Sequence, residues 1–330
     1  MDLHETPGNP IPPNAIVAPA RTRDGVTLRV ARWTVRAPRG TVTIAMGRSE
    51  FIEEYAEIVA ALIARDLEVV IFDWRGQGLS DRESGQGGRG HVSRFSAYKN
   101  DLEAIEQQVL RPFASRPWFA LGHSMGGAIL LDQAHDGRSP FDRLVLSAPM
   151  IDISLRHKSL VRWLVRIADW IGFGAMMIPG GREESLFLTR PFAGNILTGD
   201  ARQYERLKVA TTQLPRLAIG APTIRWLNGA FDLMARFALP RYPVETLTPI
   251  LIIAGGADTL VDTAAIERFA IRLKAGRCVT IPGARHQVIM ERPAIDAQFW
   301  AAFDAFIPGE AVEAVATAVP AREQKLRRRG

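Results

Sequence analysis

Short apolar runs separated by stretches of helical periodicity constrain this 330-residue chain more than any other feature. Residues 27–35 alternate and are rich in β-formers. Residues 41–46, 68–74, 119–121, 144–147, 250–254 and 278–281 are short, apolar and continuous. Buried strands of this kind, joined through helices, need crossover connections. They predict an α/β fold with a mostly parallel sheet flanked by helices. The alternation stops over 152–245, which has helical periodicity and no convincing strand. There Leu160, Trp163, Leu164, Ile167 and Ile171 fall on one helical face, opposite Arg162, Arg166 and Asp169. Strand-like runs resume afterwards, so this region reads as a helical cap inserted into one domain. The expected organisation is an extended proline-rich arm over 1–20, a core over 21–151 and 246–308, the cap over 152–245, and a flexible basic tail over 309–330.

Composition narrows the function classes. A single cysteine, Cys278, excludes an intramolecular disulfide and a cysteine-based metal cluster. The net charge is +6, of which the last ten residues hold +4, so the body carries too little charge for a nucleic-acid surface. The chain does not begin with a basic segment leading into an apolar run, and no stretch reaches the ~18 apolar residues of a membrane span. Residues 160–178 come nearest and are broken by Arg162, Arg166 and Asp169. The expectation is a cytoplasmic protein. Lys325, Arg327, Arg328 and Arg329 read either as a solvated end or as a peripheral contact with anionic lipid at the inner membrane face.

Gly122-His123-Ser124-Met125-Gly126 is a G-x-S-x-G sequence. The motif alone is common, but here Trp118-Phe119-Ala120-Leu121 precedes it and the helix former Ala128-Ile129-Leu130-Leu131 follows. A tight strand-to-helix turn lifts the serine hydroxyl above the sheet, and glycines at the flanks avoid collision. The helix start also offers N–H groups to an oxyanion. A serine needs a base. His4 is in the arm, His135 and His157 lie in helical stretches, His123 adjoins the serine and is expected to point away, and His91 sits in a glycine-rich loop. His286 follows a strand in the loop Pro282-Gly283-Ala284-Arg285 and is the favoured base. For the acid, Asp258 follows the run 250–254 through Gly255-Gly256-Ala257, with Asp262 and Asp152 as alternatives. The order Ser124, Asp258, His286 is the Ser–Asp–His order of α/β-hydrolases.

Five further pieces are Gly47-Arg48-Ser49-Glu50-Phe51, Asp73-Trp74-Arg75-Gly76-Gln77-Gly78-Leu79-Ser80, Leu121-Gly122-His123-Ser124-Met125-Gly126-Gly127, Gly255-Gly256-Ala257-Asp258 and Gly283-Ala284-Arg285-His286. On these pieces the chain resembles the lysophospholipase L2 and monoacylglycerol lipase group of α/β-hydrolases, grouped with the serine aminopeptidase S33 family. Pro222-Thr223 and Trp226-Leu227 resemble the cap of these lipases. Where monoacylglycerol lipases carry His-Gly, this chain has Met46-Gly47 followed by Arg48, which leans toward the lysophospholipase side. The resemblance implies an oxyanion hole from the N–H groups of Arg48 and Met125, a lysophospholipid or monoacylglycerol ester as substrate, and no metal or cofactor. The Arg48 side chain would meet a phosphate, or pair with Glu50 or Asp73. Asp73 and Arg75 would brace loops. Trp163 and Trp226, with other apolar cap residues, are candidates for an acyl pocket. An aminopeptidase or amidase of the same fold would need a cap carboxylate for an amino terminus, for which Glu183, Glu184 and Glu205 are available. A transacylase and a non-catalytic binding module are the remaining readings.

Overall fold

The computed structural model describes residues 2–83 and 86–307. Eight strands form one sheet: β1 (Ile16–Arg21), β2 (Thr27–Trp33), β3 (Thr41–Ala45), β4 (Glu68–Phe72), β5 (Trp118–His123), β6 (Arg143–Ser147), β7 (Ile250–Gly255) and β8 (Gly276–Ile281). Their order is β1-β2-β4-β3-β5-β6-β7-β8. The β1–β2 and β2–β4 pairs are antiparallel and every later pair is parallel. This is the α/β-hydrolase fold. β3, β4, β5 and β7 are buried at every residue, which is why their sequences run apolar without alternation. β8 lies at an edge, and its middle, including Cys278 and Val279, is exposed.

The expected N-terminal arm is shorter than residues 1–20, because the stretch from Ile16 onward is β1. Its Pro19 pairs opposite Arg29 on an outermost strand, where a missing N–H is tolerated. The preceding residues are also tied down: Asn9 donates to the Glu53 carbonyl at 2.9 Å, and Trp33 Nε1 donates to the Pro12 carbonyl at 2.9 Å.

The helices of eight residues or more are α1 (Ala56–Ile63), α2 (Tyr98–Ile105), α3 (Ser124–His135), α4 (Lys158–Trp170), α5 (Ala201–Gln213), α6 (Ile224–Phe237), α7 (Thr263–Ala270) and α8 (Pro293–Asp304). After β6 the chain leaves the sheet and runs through α4, α5 and α6 before returning as β7. Asp200 caps α5 by accepting from the N–H groups of Arg202 and Gln203, and the Thr223 hydroxyl caps α6 through Trp226 N–H. The apolar face of α4 is not its buried face. Leu160, Trp163 and Leu164 are about half exposed, and only Val165 of this helix is buried. The other side makes the contacts: Val161 and Val165 pack against the core, Arg166 pairs with Asp232, and Asp169 accepts from Arg225 and Asn228 on α6. Among the described residues no helix is long and apolar enough to cross a membrane. The basic residues Lys325, Arg327, Arg328 and Arg329 lie outside the described residues.

A buried ion cluster fastens the turn after β4 to the sheet. Arg29 on β2 has no exposed surface; it donates to both oxygens of Glu53 at 2.7 and 2.8 Å and to Asp73 at 2.7 Å. Asp73 also accepts from the N–H groups of Ile52 and Leu79. Removing one partner from such a cluster strands the others without compensation. Arg29→Met is therefore expected to cost about 3–5 kcal/mol of stability in urea titration. Adding Glu53→Gln and Asp73→Asn should restore part of that loss.

Candidate active site

Ser124 sits where β5 turns into α3, with its backbone in the left-handed region at φ 48°. Two glycines make that turn possible. A Cβ at Gly126 would lie 2.0 Å from the Ala45 carbonyl oxygen, so only glycine lets α3 approach the end of β3 this closely. A Cβ at Gly122 would lie 2.7 Å from the Gly127 Cα. The turn leaves the serine hydroxyl facing away from the sheet core, toward the loops at the strands' carboxyl ends.

Two of those loops bring the other sequence-predicted groups to it. His286, in the loop between β8 and α8, places Nε2 3.0 Å from Ser124 Oγ and Nδ1 2.7 Å from Asp258 Oδ2. Asp258, just after β7, uses its other oxygen to accept from the N–H groups of Leu260 at 2.7 Å and Val261 at 3.1 Å. Burial opposes ionisation of this carboxyl, but the His286 hydrogen bond, the imidazole charge and those two N–H groups outweigh it and hold Asp258 below the usual carboxylate range. The two alternatives are engaged elsewhere. Asp262 caps α7 through Ala265 N–H, and Asp152 pairs with Lys158.

His123 does not simply point away. Its ring centroid lies 4.9 Å from that of His286, and its Nε2–H donates to the His286 carbonyl at 3.2 Å. Its other nitrogen faces Glu50 Oε1 at 2.8 Å, a charge–charge approach rather than an aligned hydrogen bond. Glu50 is held by the Tyr55 hydroxyl at 2.6 Å and by Gly47 N–H. Burial disfavours charge on both groups, but each stabilises the other, so His123 is raised above its ordinary value and Glu50 lowered below its own. The sign follows. The His123 contribution to stability is complete below pH 6.5 and is lost as pH rises through its raised value; that of Glu50 is complete above 4.5 and is lost as pH falls through its lowered one. Glu50→Gln should therefore destabilise by about 1–3 kcal/mol, with the deficit greatest between pH 4.5 and 6.5 and shrinking at higher pH. Urea titrations across pH 5–9 measure it; a deficit flat across that range would contradict the pairing. No spacing in the sequence signals this pair. The only trace is that Glu50 and His123 both lie in the motif segments.

A cavity of about 650 Å³ opens above Ser124 and His286. Its wall includes Ile178, Phe187, Leu197 and Ile219 from the chain between β6 and β7, and the charged Arg48, Arg182, Glu184 and Arg190. The expectation that Trp163 and Trp226 line an acyl pocket is not met. Trp163 points outward from α4, because that helix packs through the side that carries Val161, Val165 and Asp169. Trp226 is buried and outside the cavity wall, and its Nε1 donates to the Tyr98 hydroxyl at 3.1 Å. Arg48 lines the cavity but pairs with neither Glu50 nor Asp73, whose charges go to His123 and Arg29. Glu183 contacts Arg89 and Gly88 N–H, and Glu205 approaches Lys208, so Glu184 is the one of the three cap carboxylates that borders the cavity. His91 shares a hydrogen bond with the Thr223 hydroxyl, and His135 stacks on Tyr242.

A family profile described as serine aminopeptidase, S33, matches residues 36–293. The chain is 32% identical over 289 residues to lysophospholipase L2 of Escherichia coli (strain K12), covering 82% of this chain and 81% of the relative. It is 27% identical over 273 residues to a monoacylglycerol lipase of Mycolicibacterium smegmatis, covering 81% and 88%. Among solved structures, a soluble variant of monoglyceride lipase from Saccharomyces cerevisiae, in complex with a substrate analog, superimposes with a TM-score of 0.69 at 18% identity. That match covers 90% of this chain and 98% of the other, a likeness of fold.

Proposed function

Since the chain belongs to the serine aminopeptidase S33 family of α/β-hydrolases and is a carboxylic ester hydrolase, we propose that it cleaves the acyl ester of lysophospholipids or monoacylglycerols through Ser124, His286 and Asp258. The observation that carries this reading is the continuous hydrogen-bonded relay from Asp258 through His286 to Ser124 on the floor of the cavity.

Ser124 Oγ attacks the ester carbonyl carbon while His286 Nε2 takes its proton, and Asp258 accepts from Nδ1–H and stabilises the imidazolium that forms. The oxyanion is received by the N–H groups of Arg48 and Met125. The N–H groups on either side of Arg48 are already engaged, Gly47 with Glu50 and Ser49 with Gln77, which supports giving the Arg48 N–H this role. Met125 lies in the first turn of α3, where N–H groups have no partner within the helix. The tetrahedral species collapses by expelling the alcohol, protonated by His286. Water, deprotonated by the same imidazole, then releases the acid from the acyl-serine. In this reading the segment between β6 and β7 is the cap, and Ile178, Phe187, Leu197 and Ile219 meet the acyl chain.

One observation favours a second reading: Glu184 borders the cavity, as an amine-recognising carboxylate would. Against it stand three guanidinium groups, Arg48, Arg182 and Arg190, in the same wall. Purified protein incubated with lysophosphatidylcholine, a monoacylglycerol, a p-nitrophenyl ester and an aminoacyl anilide tests the choice. The expected result is release of free fatty acid from a lipid ester and fluorophosphonate labelling of Ser124. Preference for the anilide would overturn the lipid-ester reading, and transfer of the acyl group to another lipid would replace hydrolysis by transacylation.

A further inference from the structure

We propose that the Arg48 side chain is the receptor for a phosphate oxyanion next to the scissile ester, so that this residue makes the enzyme prefer lysophospholipids over monoacylglycerols. The inference rests on the ester-hydrolase reading and deepens it.

Arg48 stands in the wall of the cavity that holds Ser124 and His286. Its guanidinium is anchored from behind. Nη1 donates to the Gly220 carbonyl at 2.7 Å, and the group lies 5.6 Å from the centroid of the Trp226 ring. Gly90 flanks the same nitrogen, and a Cβ there would come within 2.8 Å of it. A carbonyl and an aromatic face thus hold the fork, glycine leaves room for it, and among the described residues no carboxylate pairs with it. The carboxylates that the sequence offers are taken: Glu50 by His123, and Asp73 by Arg29. Burial acts on the guanidinium accordingly and pulls it down to about 10.

A cation taken out of water without a counter-ion is unfavourable, and it is relieved when an anion arrives. A planar guanidinium that gives one N–H to Gly220, and no other hydrogen bond among the described residues, suits the paired oxygens of a phosphate. A monoacylglycerol brings only hydroxyls to that position, whereas a lysophospholipid brings the phosphate of its head group. The side chain acts on the head group and the backbone N–H of the same residue on the ester, so one residue would set the distance between the two. Arg182 and Arg190 add positive charge to the wall, and Glu184 is the opposing carboxylate there.

The test compares wild type, Arg48→Gln and Arg48→Lys on lysophosphatidylcholine and on a monoacylglycerol of the same acyl chain. The readout is the ratio of the two kcat/KM values. Arg48→Gln should lower that ratio by about 10- to 100-fold, mainly through KM for the phospholipid, and Arg48→Lys should keep part of it. Independently, sn-glycerol 3-phosphate should inhibit wild-type turnover of a p-nitrophenyl ester where glycerol does not, and about tenfold less in Arg48→Gln. If Arg48 only tethers Gly220 to the core, both substrates lose equally, the ratio holds and the assignment is overturned. Inhibition by glycerol equal to that by its phosphate would overturn it as well. Absence of all turnover in wild type would instead sink the parent reading, and this one with it.

Discussion

Replacing Ser124 by alanine should lower kcat for ester hydrolysis by about 10⁵- to 10⁶-fold and abolish fluorophosphonate labelling. In the proposed mechanism the hydroxyl is the group of the relay that bonds to substrate, and without it the imidazole would have no alcohol to activate. Residual turnover, about 10³-fold over water, would come from the N–H donors and from binding alone. The substitution removes one oxygen from a nearly buried site, and Ala is no worse suited than Ser to the positive φ. The thermal midpoint should therefore stay near that of wild type, which separates lost chemistry from lost fold. A variant that kept a tenth of its activity would remove Ser124 from the mechanism.

Asp258→Asn should cost about 10⁴-fold in kcat with little change in KM. The surrounding hydrogen bonds dictate how the amide would sit. Oδ1 of Asp258 accepts from both Leu260 and Val261 N–H, so an asparagine would keep its oxygen there and turn its NH₂ toward His286. An NH₂ donates, so Nδ1 would have to accept and the proton would move to Nε2, the nitrogen that must take the proton of Ser124. Because Asp258 titrates below its ordinary 3.8 in the folded protein, it remains a carboxylate through mildly acidic conditions. A Ser124→Ala, Asp258→Asn double variant no slower than Ser124→Ala would show that the two act as one unit.

Much of this architecture is legible in the residues. Parallel strands buried on both faces leave continuous apolar runs, and a serine turned out of a strand end demands glycines on both sides. Gly122 and Gly126 thus announce the turn before any contact is known. What stays hidden is of two kinds. Pairings between distant charges leave no periodic trace: nothing in Arg29, Glu53 and Asp73, or in Glu50 and His123, says that they meet. The direction in which an amphipathic face points is hidden too. The stripe of Leu160, Trp163 and Leu164 reads as a buried side, but α4 turns it outward and docks through Val161, Val165 and Asp169, the last of which meets Arg225 and Asn228 of α6. Periodicity gives a helix two sides without saying which one finds a neighbour. β1 was obscured by the prolines around it, although an edge strand accommodates Pro19.

The long excursion between β6 and β7 governs when the relay can exist during biosynthesis. The serine and the imidazole are 162 residues apart, and the last parallel strands pair only after the intervening helices have been made. Closing so large a loop costs chain entropy that is recovered only when both ends have docked. A chain still emerging from the ribosome accordingly carries Ser124 without the His286 imidazole beside it. The proposed relay is therefore assembled in one step, when the final strand and its loop dock beside the Ser124 turn.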